Sequence, residues 1–350
     1  MARRRLNIFE KLAFAAPIAL HVLLLGIENS DLAPTWASEL LRFIPYYWLL
    51  PVFAAGVLAS AFMGRFRLLI GCANLLVFLV FTMGFRWNTE YRTPSAGKPI
   101  RILSYNVKAL IAEHRAGGLA TLTREIESYS PDIVALQDAQ KWLPDGVYSP
   151  AESSAKLPFL DLPYVYVADQ FILASRFKLS QCVSSSRDDE KRGLPFLQCQ
   201  LDAGNQTLTV VTTHFVSPRS GLLAARTETS FGLLQWKQNV AYRVWQSNML
   251  RDKLSQLNGP LVVLGDFNAS EQSPMVENLK RAGLHDAFSE AGTGWGYTIG
   301  HALNRGIDLF RIDHILLSPA FQTRRFRVGH QGGSEHNPII ADVTLTDTKQ

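Results

Sequence analysis

The chain has 350 residues, of which 47% are hydrophobic, and a formal net charge of +5. This length allows one large domain or two ordinary ones. Residues 1–89 hold eight Lys and Arg against four Asp and Glu, whereas residues 90–350 hold 27 against 26. The second part therefore lacks the strongly basic balance of a dedicated nucleic-acid binder, although a local basic patch is still allowed.

Three long apolar runs occupy the first 87 residues. They predict transmembrane helices at about 10–27, 43–64 and 68–86, since a bilayer core of about 30 Å needs roughly 20 helical residues. The first run is short for a span, and a cleaved signal peptide is the alternative interpretation. Two further apolar runs follow directly, which favours the interpretation that residues 1–89 form a membrane anchor.

Basic residues near the ends of these runs predict the orientation of the anchor, because such residues stay on the cytoplasmic side. Three arginines precede the first run, and Arg65 and Arg67 lie between the second and third. The more acidic segment 28–42 is then expected outside. Three spans would place the C-terminal domain on the periplasmic or extracellular side of the inner (cytoplasmic) membrane.

After the anchor, residues 90–99 are rich in Pro, Gly and small side chains and are interpreted as a linker. Residues 100–346 then alternate short β-type runs with helical patterns, which predicts an α/β domain with mixed sheets. Strands are expected at 100–107, 133–137, 164–168, 171–175, 179–183, 196–201, 208–215, 261–265, 312–317 and 339–343. Helices are expected at 118–129, within 221–257 and at 273–282.

Two cysteines, Cys182 and Cys199, flank the polar segment RDDEKR between two of the expected strands. Antiparallel pairing about that turn would bring them together, and an extracytoplasmic compartment would let them oxidise. A slip of one residue in the register would instead place them on opposite faces. A hairpin disulfide and two free thiols are both consistent with the sequence.

Polar side chains stand at the ends of the apolar strands, where rigid sites are built. Taken singly, each is typical of a turn or a cap. Taken together they supply hard oxygen ligands, which suit Mg²⁺ or Mn²⁺. They also supply the base and the donors that phosphoester hydrolysis needs besides a bound cation. The residues are Asn106, Asp138, His214, Asp266, Asn268, Asp313, Glu335 and His336.

Six motifs follow one another within residues 98–345: SYNV, PDIVALQD, TTHF, GDFNAS, RIDHILLS and SEHNPIIADV. In this order they resemble the endonuclease/exonuclease/phosphatase superfamily, which has the deoxyribonuclease I-like fold. The resemblance implies a four-layer α-β-β-α sandwich with two mixed β-sheets, preceded in this chain by the three transmembrane helices. The catalytic domain is expected over residues 100–346.

The resemblance also implies a metal site. Asp138 would be the main metal carboxylate, and Asn106 and Glu335 would contribute to the same site. Two of these positions depart from the family pattern, which has Glu where this chain has Asp138 and Asp where it has Glu335. Charge is kept, but one side chain is shorter and the other longer, and catalytic geometry is sensitive to such shifts.

The remaining motif residues would act on the phosphate and on water. Asp266 would orient or deprotonate the attacking water, with Asn268 beside it on the phosphate. His214 would donate to a phosphate oxygen. His336 would face the phosphate and be held by Asp313.

These roles imply Mg²⁺- or Mn²⁺-dependent hydrolysis of a phosphoester by direct attack of water. The superfamily includes nucleases, sphingomyelinases and inositol phosphatases, so the fold does not select the substrate. An anchor in the lipid bilayer and a near-neutral domain favour a lipid or small phosphoester, with a nuclease as the alternative. The two departures leave a catalytically weak, membrane-tethered phosphate-binding module as the rival from another class.

Overall fold

The computed structural model describes residues 7–29, 33–88, 99–148, 162–185, 193–204, 206–227, 230–300, 307–329 and 332–346. The chain divides into two compact units, Met1–Arg86 and Trp87–Gln350. Of the expected linker 90–99, all but the last residue lies outside the described residues.

The first unit is helical, and within its second expected span, 43–64, a 3-10 turn begins at Tyr46 and continues into an α-helix that ends at Ala61. Pro45 precedes a short 3-10 turn and Pro51 lies in the first turn of the next helix. Proline lacks the backbone N–H and its ring clashes with the preceding turn, so these positions suit helix starts and not a helix interior. The bounds are α1 Ile8–Asn29, α2 Thr35–Arg42, the 3-10 turn Tyr46–Leu49, α3 Leu50–Ala61, α4 Arg65–Val77 and a π-helical turn Phe78–Thr82.

Two stretches of this unit, Ile8–Glu28 and Arg65–Thr82, are long and apolar enough to cross a membrane. A third span exists if the pair Thr35–Arg42 and Tyr46–Ala61, bent by 76°, forms a single span. Two or three of the described helical segments could therefore span a membrane, where the sequence predicts three.

A buried polar contact joins the helices of this unit. His21 on α1 lies 2.8 Å from Asn74 Oδ1 through its Nδ1 atom and 2.9 Å from Thr82 Oγ1 through its Nε2 atom. The imidazole packs edge-on against Phe53 and Phe78. These contacts tie α1 to α4 and to the π-helical turn that follows it.

The second unit contains two mixed β-sheets, as the sequence predicts. Among the described residues, one sheet has seven strands in the order β14-β15-β2-β3-β6-β5-β4, and the other has six in the order β11-β13-β10-β9-β8-β7. In chain order the described strands, of which β1 and β12 belong to neither of these two sheets, are β1 Arg86–Trp87, β2 Ile100–Asn106, β3 Ile133–Gln137, β4 Gly146–Tyr148, β5 Tyr164–Ala168, β6 Phe171–Ser175, β7 Lys178–Ser185, β8 Phe196–Asp202, β9 Thr207–His214, β10 Leu261–Asp266, β11 His285–Asp286, β12 Thr293–Gly294, β13 Asp313–Leu317, β14 Phe321–Val328 and β15 Ile339–Leu345.

Helices cover the outer face of each sheet. The helices of this unit are α5 Ala109–Ala112, α6 Gly118–Ser128, α7 Arg219–Thr227, α8 Ser230–Leu254, α9 Pro274–Lys280 and α10 Ala287–Ala291. Leu122 and Ile126 of α6 pack on one sheet, and Leu250 of α8 and Val276 of α9 pack on the other.

A third apolar core lies between the two sheets, with side chains such as Ile102 and Leu173 from one and Val210 and Ile315 from the other. Side chains alternate between the two faces of a strand, so every central strand feeds both a helix-facing core and the inter-sheet core. The four-layer α-β-β-α sandwich expected from the resemblance is confirmed.

The hairpin of β7 and β8 carries a disulfide between Cys182 and Cys199, whose Cα atoms are 4.1 Å apart. The register shifts between Ser180 and Val183, and this irregularity lets Cys182 meet Cys199. The polar tip of the hairpin, residues 186–192, lies outside the described residues. Of the two alternatives allowed by the sequence, the structure has the disulfide.

Candidate functional site

The functional candidates lie where strands of both sheets end together. In one sheet, β2 and β3 run parallel with Asn106 opposite Gln137. In the other sheet, Asp266 at the end of β10 lies opposite both His214 on β9 and Asp313 on β13. A hydrogen bond of 2.9 Å from Asn106 Nδ2 to Asp266 Oδ2 joins the two sets. The strand register thus gathers polar groups that are far apart in sequence.

Asp266 is at the centre of this cluster and is almost completely buried. Its Oδ1 atom accepts a 2.8 Å hydrogen bond from the backbone N–H of Asn268. Its Oδ2 atom accepts the bond from Asn106 and lies 3.4 Å from His214 Nε2 and 3.7 Å from His336 Nε2. One carboxylate oxygen therefore faces two imidazole rings, an arrangement suited to moving or orienting a proton.

His336 is held by Asp313 through a 2.9 Å contact between Nδ1 and Oδ2. Burial alone would lower the pKa of His336, but the carboxylates of Asp313 and Asp266 raise it above the ordinary histidine value. Ligand atoms of Asp266, Asp313 and His336 lie within 4.8 Å of one another, a spacing that a metal ion could also use. Because Asp313 already engages His336 Nδ1, we interpret this group as a proton-handling cluster.

Asp138 follows β3 and is flanked by two nitrogen donors. Its Oδ1 atom lies 3.4 Å from His214 Nδ1, and its Oδ2 atom lies 2.5 Å from Lys108 Nζ. Burial would raise the pKa of Asp138, but His214 and Lys108 hold it well below the ordinary range. The Nδ1 atom of His214 is also 2.7 Å from Gln170 Oε1. Asp138 is therefore ionised at ordinary pH and oriented towards the cluster.

Asn268 is fixed by its neighbours. Its side-chain Nδ2 donates to the backbone oxygen of Phe215 at 2.9 Å, and its own backbone oxygen accepts a bond from the buried guanidinium of Arg243. Its backbone φ of 50° lies in the left-handed region, which costs free energy for a residue other than glycine. Strain of this kind persists where the surrounding structure dictates the conformation, and it is common at functional sites.

Glu335 is set apart from the hydrogen bonds of the central cluster. It pairs with Arg115 Nη2 at 3.5 Å and is only partly buried. Its charge still acts on Lys108, the residue bound to Asp138. The structure thus places Glu335 on the same side as the expected metal carboxylate, but with a cationic partner of its own.

The expected ligands Asp138, Asn106 and Glu335 offer oxygen atoms of the chemical type that suits a hard divalent cation. Asn106 Oδ1 is turned towards the loop after β2, where it accepts a 3.3 Å bond from the backbone N–H of Lys108. With Asp138 and Glu335, this amide oxygen makes a set of carboxylate and carbonyl oxygens of the type that Mg²⁺ and Mn²⁺ prefer.

Three residues of the site were not predicted from the sequence: Lys108, Gln170 and Arg243. Lys108 follows a strand-end motif, but a lysine in a loop is usually solvated. Gln170 lies in the turn between β5 and β6, and Arg243 is one of many polar residues on α8. No local pattern marks them, because their role depends on which strand ends the fold brings next to them.

A buried ionic network contacts the loop that follows β10. Arg311 pairs with Glu271 at 2.6 Å and with Asp286 at 2.8 Å. His314 is fully buried, lies 3.3 Å from Asp286 Oδ2 and 2.8 Å from the backbone oxygen of Ala269, and so links the network to the loop that carries Asn268. Strand alternation turns His314 away from the cluster, so its contacts stabilise the loop and do not reach the candidate site.

Comparison with known proteins gives one matching family model and several solved structures of similar fold. The model of the Endonuclease/Exonuclease/phosphatase family matches residues 103–336. No curated protein matches the sequence. Among solved structures, the chain is similar to an endonuclease/exonuclease/phosphatase from Beutenbergia cavernae, with 17% identity, 71% of this chain and 72% of that chain covered, and a TM-score of 0.51.

Two further solved structures are similar at lower scores. One is the human Nocturnin catalytic domain, with 17% identity, 71% and 94% coverage of the two chains and a TM-score of 0.49. The other is an AP endonuclease from Archaeoglobus fulgidus, with 15% identity, 69% and 98% coverage and a TM-score of 0.47. Because the family model covers well over half of the sequence, the chain belongs to the endonuclease/exonuclease/phosphatase family, whose members hydrolyse phosphoester bonds.

Proposed function

We propose that this protein is a membrane-anchored, Mg²⁺- or Mn²⁺-dependent phosphoester hydrolase that works by direct attack of water. The observation that carries the proposal is the environment of Asp266. One oxygen of this buried carboxylate accepts a hydrogen bond from Asn106 and lies within 3.7 Å of the His214 and His336 imidazoles. A base and two donors directed to one point are what transfer of a phosphoryl group to water requires.

The residues of the cluster have different roles in the proposed reaction. Asp266 orients the attacking water or takes its proton, and His214 and His336 donate to the phosphate oxygens. Asp313 holds the His336 ring through Nδ1, so the Nε2 atom faces the reacting groups. Asn268 lies beside Asp266, and its amide would contact the phosphate.

Asp138, Asn106 and Glu335 would hold the divalent cation. When bound, the cation supplies positive charge that offsets the charge developing on the phosphate oxygens. The depressed pKa of Asp138 supports this assignment, because a cation ligand has to be ionised.

The substrate class follows from charge and anchoring. Residues 90–350 are close to neutral, which favours a lipid or small phosphoester over a nucleic acid, whose polyanionic backbone is usually met by a basic surface. A nuclease is the second candidate within the same chemistry.

We also propose that the catalytic unit lies outside the cytoplasm, on the periplasmic or extracellular side of the inner membrane. The arginines that flank the apolar helices support this orientation. The disulfide between Cys182 and Cys199 supports it independently, because thiols in the cytosol are usually kept reduced. Three spans are required for this topology, whereas two would return the chain to the side on which it starts.

The proposed chemistry is tested by a hydrolysis screen of the full chain in neutral detergent with Mg²⁺ or Mn²⁺. The substrates are DNA, RNA, sphingomyelin, phosphoinositides and bis(p-nitrophenyl) phosphate. Asp266→Asn and His336→Ala should each lower the rate about 100- to 1000-fold on whichever substrate is cleaved, since each removes an electrostatic partner of the reaction. Activity within a few-fold of wild type in both variants would show that the site is elsewhere.

The rival function is a phosphate-binding module with little or no turnover. It would bind Mn²⁺ and phosphate but cleave none of these substrates, so the screen and a binding titration distinguish the two. Topology is tested separately: a reporter active only outside the cytoplasm should work when fused after Gln350 and stay silent when fused near Gly64. The reverse pattern contradicts the orientation.

A further inference from the structure

Lys108 places an ammonium group against the carboxylate that we assign to the cation. It is the second residue after Asn106, and its Nζ atom lies 2.5 Å from Asp138 Oδ2. Only about a quarter of the Lys108 side chain and a fifth of the Asp138 side chain are exposed. The contact is therefore sheltered and is unlike an ordinary surface ion pair.

The backbone fixes this contact. The loops after β2 and β3 are joined by hydrogen bonds from Val107 N to Gln137 O at 2.9 Å and from Ala109 N to Asp138 O at 2.8 Å. Lys108 and Asp138 both have left-handed φ angles, 47° and 52°. Neither is glycine, so each conformation is strained and is maintained by the paired loops. The two side chains meet because the fold sets both loops in unusual conformations.

The charges around Lys108 point the same way. Besides Asp138, the carboxylates of Asp266 and Glu335 act on its ammonium. Of these three carboxylates, Asp138 and Glu335 are proposed ligands of the divalent cation, and Asp266 is the proposed base. The ammonium is thus directed to the region where the negative charge of the site converges.

We propose that Lys108 is a tethered cation that competes with the divalent metal ion for Asp138 and so sets the metal affinity of the site. This inference rests on the proposed function, because it takes Asp138 as the metal carboxylate. An oxygen paired with an ammonium has to be released before it can bind a metal ion. The displaced ammonium then stays nearby, since its backbone is held, and repels the ion. Lys108 is therefore an affinity-determining residue of the site.

The test measures binding of Mn²⁺ alone, without a substrate. The full chain in neutral detergent is titrated with Mn²⁺, and free Mn²⁺ is followed by its electron paramagnetic resonance signal. Removing the competing charge in Lys108→Met should tighten Mn²⁺ binding by about tenfold or more, because charge interactions in a sheltered site are strong. Lys108→Arg keeps a permanent cation and should stay within about threefold of wild type.

Two controls make the result specific. Lys178 is exposed on β7, so Lys178→Met removes the same charge from elsewhere and should change the affinity less than twofold. Lys108→Gln is a second neutral variant for the case in which methionine at this strained position fails to fold. Thermal unfolding in EDTA establishes that each variant is folded, and the neutral variants should gain more stability from added Mn²⁺ than wild type does.

Failure of the inference is distinguishable from failure of the proposed metal site. If Asp138→Ala abolishes Mn²⁺ binding but Lys108→Met and Lys108→Gln bind no more tightly than wild type, Lys108 is not a competitor and the inference is overturned. If Asp138→Ala binds Mn²⁺ as wild type does, the proposed cation site itself is wrong, and the inference falls with it.

Discussion

Replacing Asp313 with asparagine tests the assignment of His336 most directly. The contact between His336 Nδ1 and Asp313 Oδ2 is 2.9 Å long, and both side chains are buried. The other carboxylate oxygen, Oδ1, has no hydrogen-bond partner within the described part of the chain, so Asp313 holds His336 through one bond. Asn is nearly isosteric but neutral, which removes the charge that favours a protonated ring.

The size of the effect follows from that single bond. A hydrogen bond to a charged group contributes about 1.5–3 kcal/mol, and each 1.36 kcal/mol corresponds to a factor of ten in rate. If the full contribution is lost in the transition state, Asp313→Asn should lower kcat/KM by about 10- to 200-fold. The pKa of His336 should also fall, because Asp313 is the carboxylate that raises it most.

The assay is hydrolysis of bis(p-nitrophenyl) phosphate, or of the best substrate from the screen, at saturating Mg²⁺. Asp308→Asn is the matched control, because it makes the same chemical change nearby. Asp308 accepts a 2.8 Å hydrogen bond from Asn337, the residue next to His336. The control should stay within about threefold of wild type. An Asp313→Asn enzyme that is folded and as active as the control would refute the assigned pair.

Three further predictions concern stability. Burial raises the pKa of Glu125 from 4.5 to about 7, although hydrogen bonds from the Tyr105 hydroxyl and the Gly332 N–H act in the opposite direction. The folded protein therefore holds this proton more tightly than the unfolded chain, and stability falls as pH rises from about 4.5 to 7. Glu125→Gln should remove that dependence on pH and stabilise the protein above pH 7 by about 1–2 kcal/mol, a value reduced for the solvent screening of a partly exposed group. Urea unfolding at pH 5 and pH 8 measures the effect, and an unchanged dependence on pH contradicts the prediction. Reducing the disulfide of Cys182 and Cys199, which closes a loop of sequence separation 17, should cost about 3 kcal/mol by the chain-entropy estimate, and a midpoint of unfolding unaffected by reductant would argue against it. Arg311→Met removes the guanidinium that pairs with the buried carboxylates of Glu271 and Asp286 and should destabilise the catalytic unit by about 3–5 kcal/mol in urea unfolding. Arg251→Met, at a partly exposed ion pair, should cost less than about 1 kcal/mol.

Most strands of the catalytic unit were predictable because their signal is local. Apolar runs bounded by polar turns predicted β2, β3, β9 and β10 to within a residue or two. β14 was not predicted. It is an edge strand with Arg324 and Arg325 in succession at a register shift, so its pattern lacks the alternation expected of a half-buried strand.

The second apolar run shows what hydropathy does not predict. Composition alone predicted a span at 43–64, and the described helical stretch within it is the shorter Tyr46–Ala61, which a bend of 76° separates from Thr35–Arg42. Pro45 lies directly before that stretch, where a residue without a backbone N–H suits the start of a helix. Hydropathy reports where lipid is tolerated and does not report helix continuity.

The sequence by itself determined the residue types of the candidate site and the strand ends on which they stand, because these side chains belong to short motifs with local structure. It could not determine which partner each side chain meets. The bond between Asn106 and Asp266 joins residues 160 positions apart, and Lys108 reaches Asp138 only because two loops on neighbouring strands are paired. Contacts of that kind depend on strand order and register, which are settled by packing of the whole sandwich. The tertiary structure alone therefore decided that an ammonium lies against the proposed metal carboxylate.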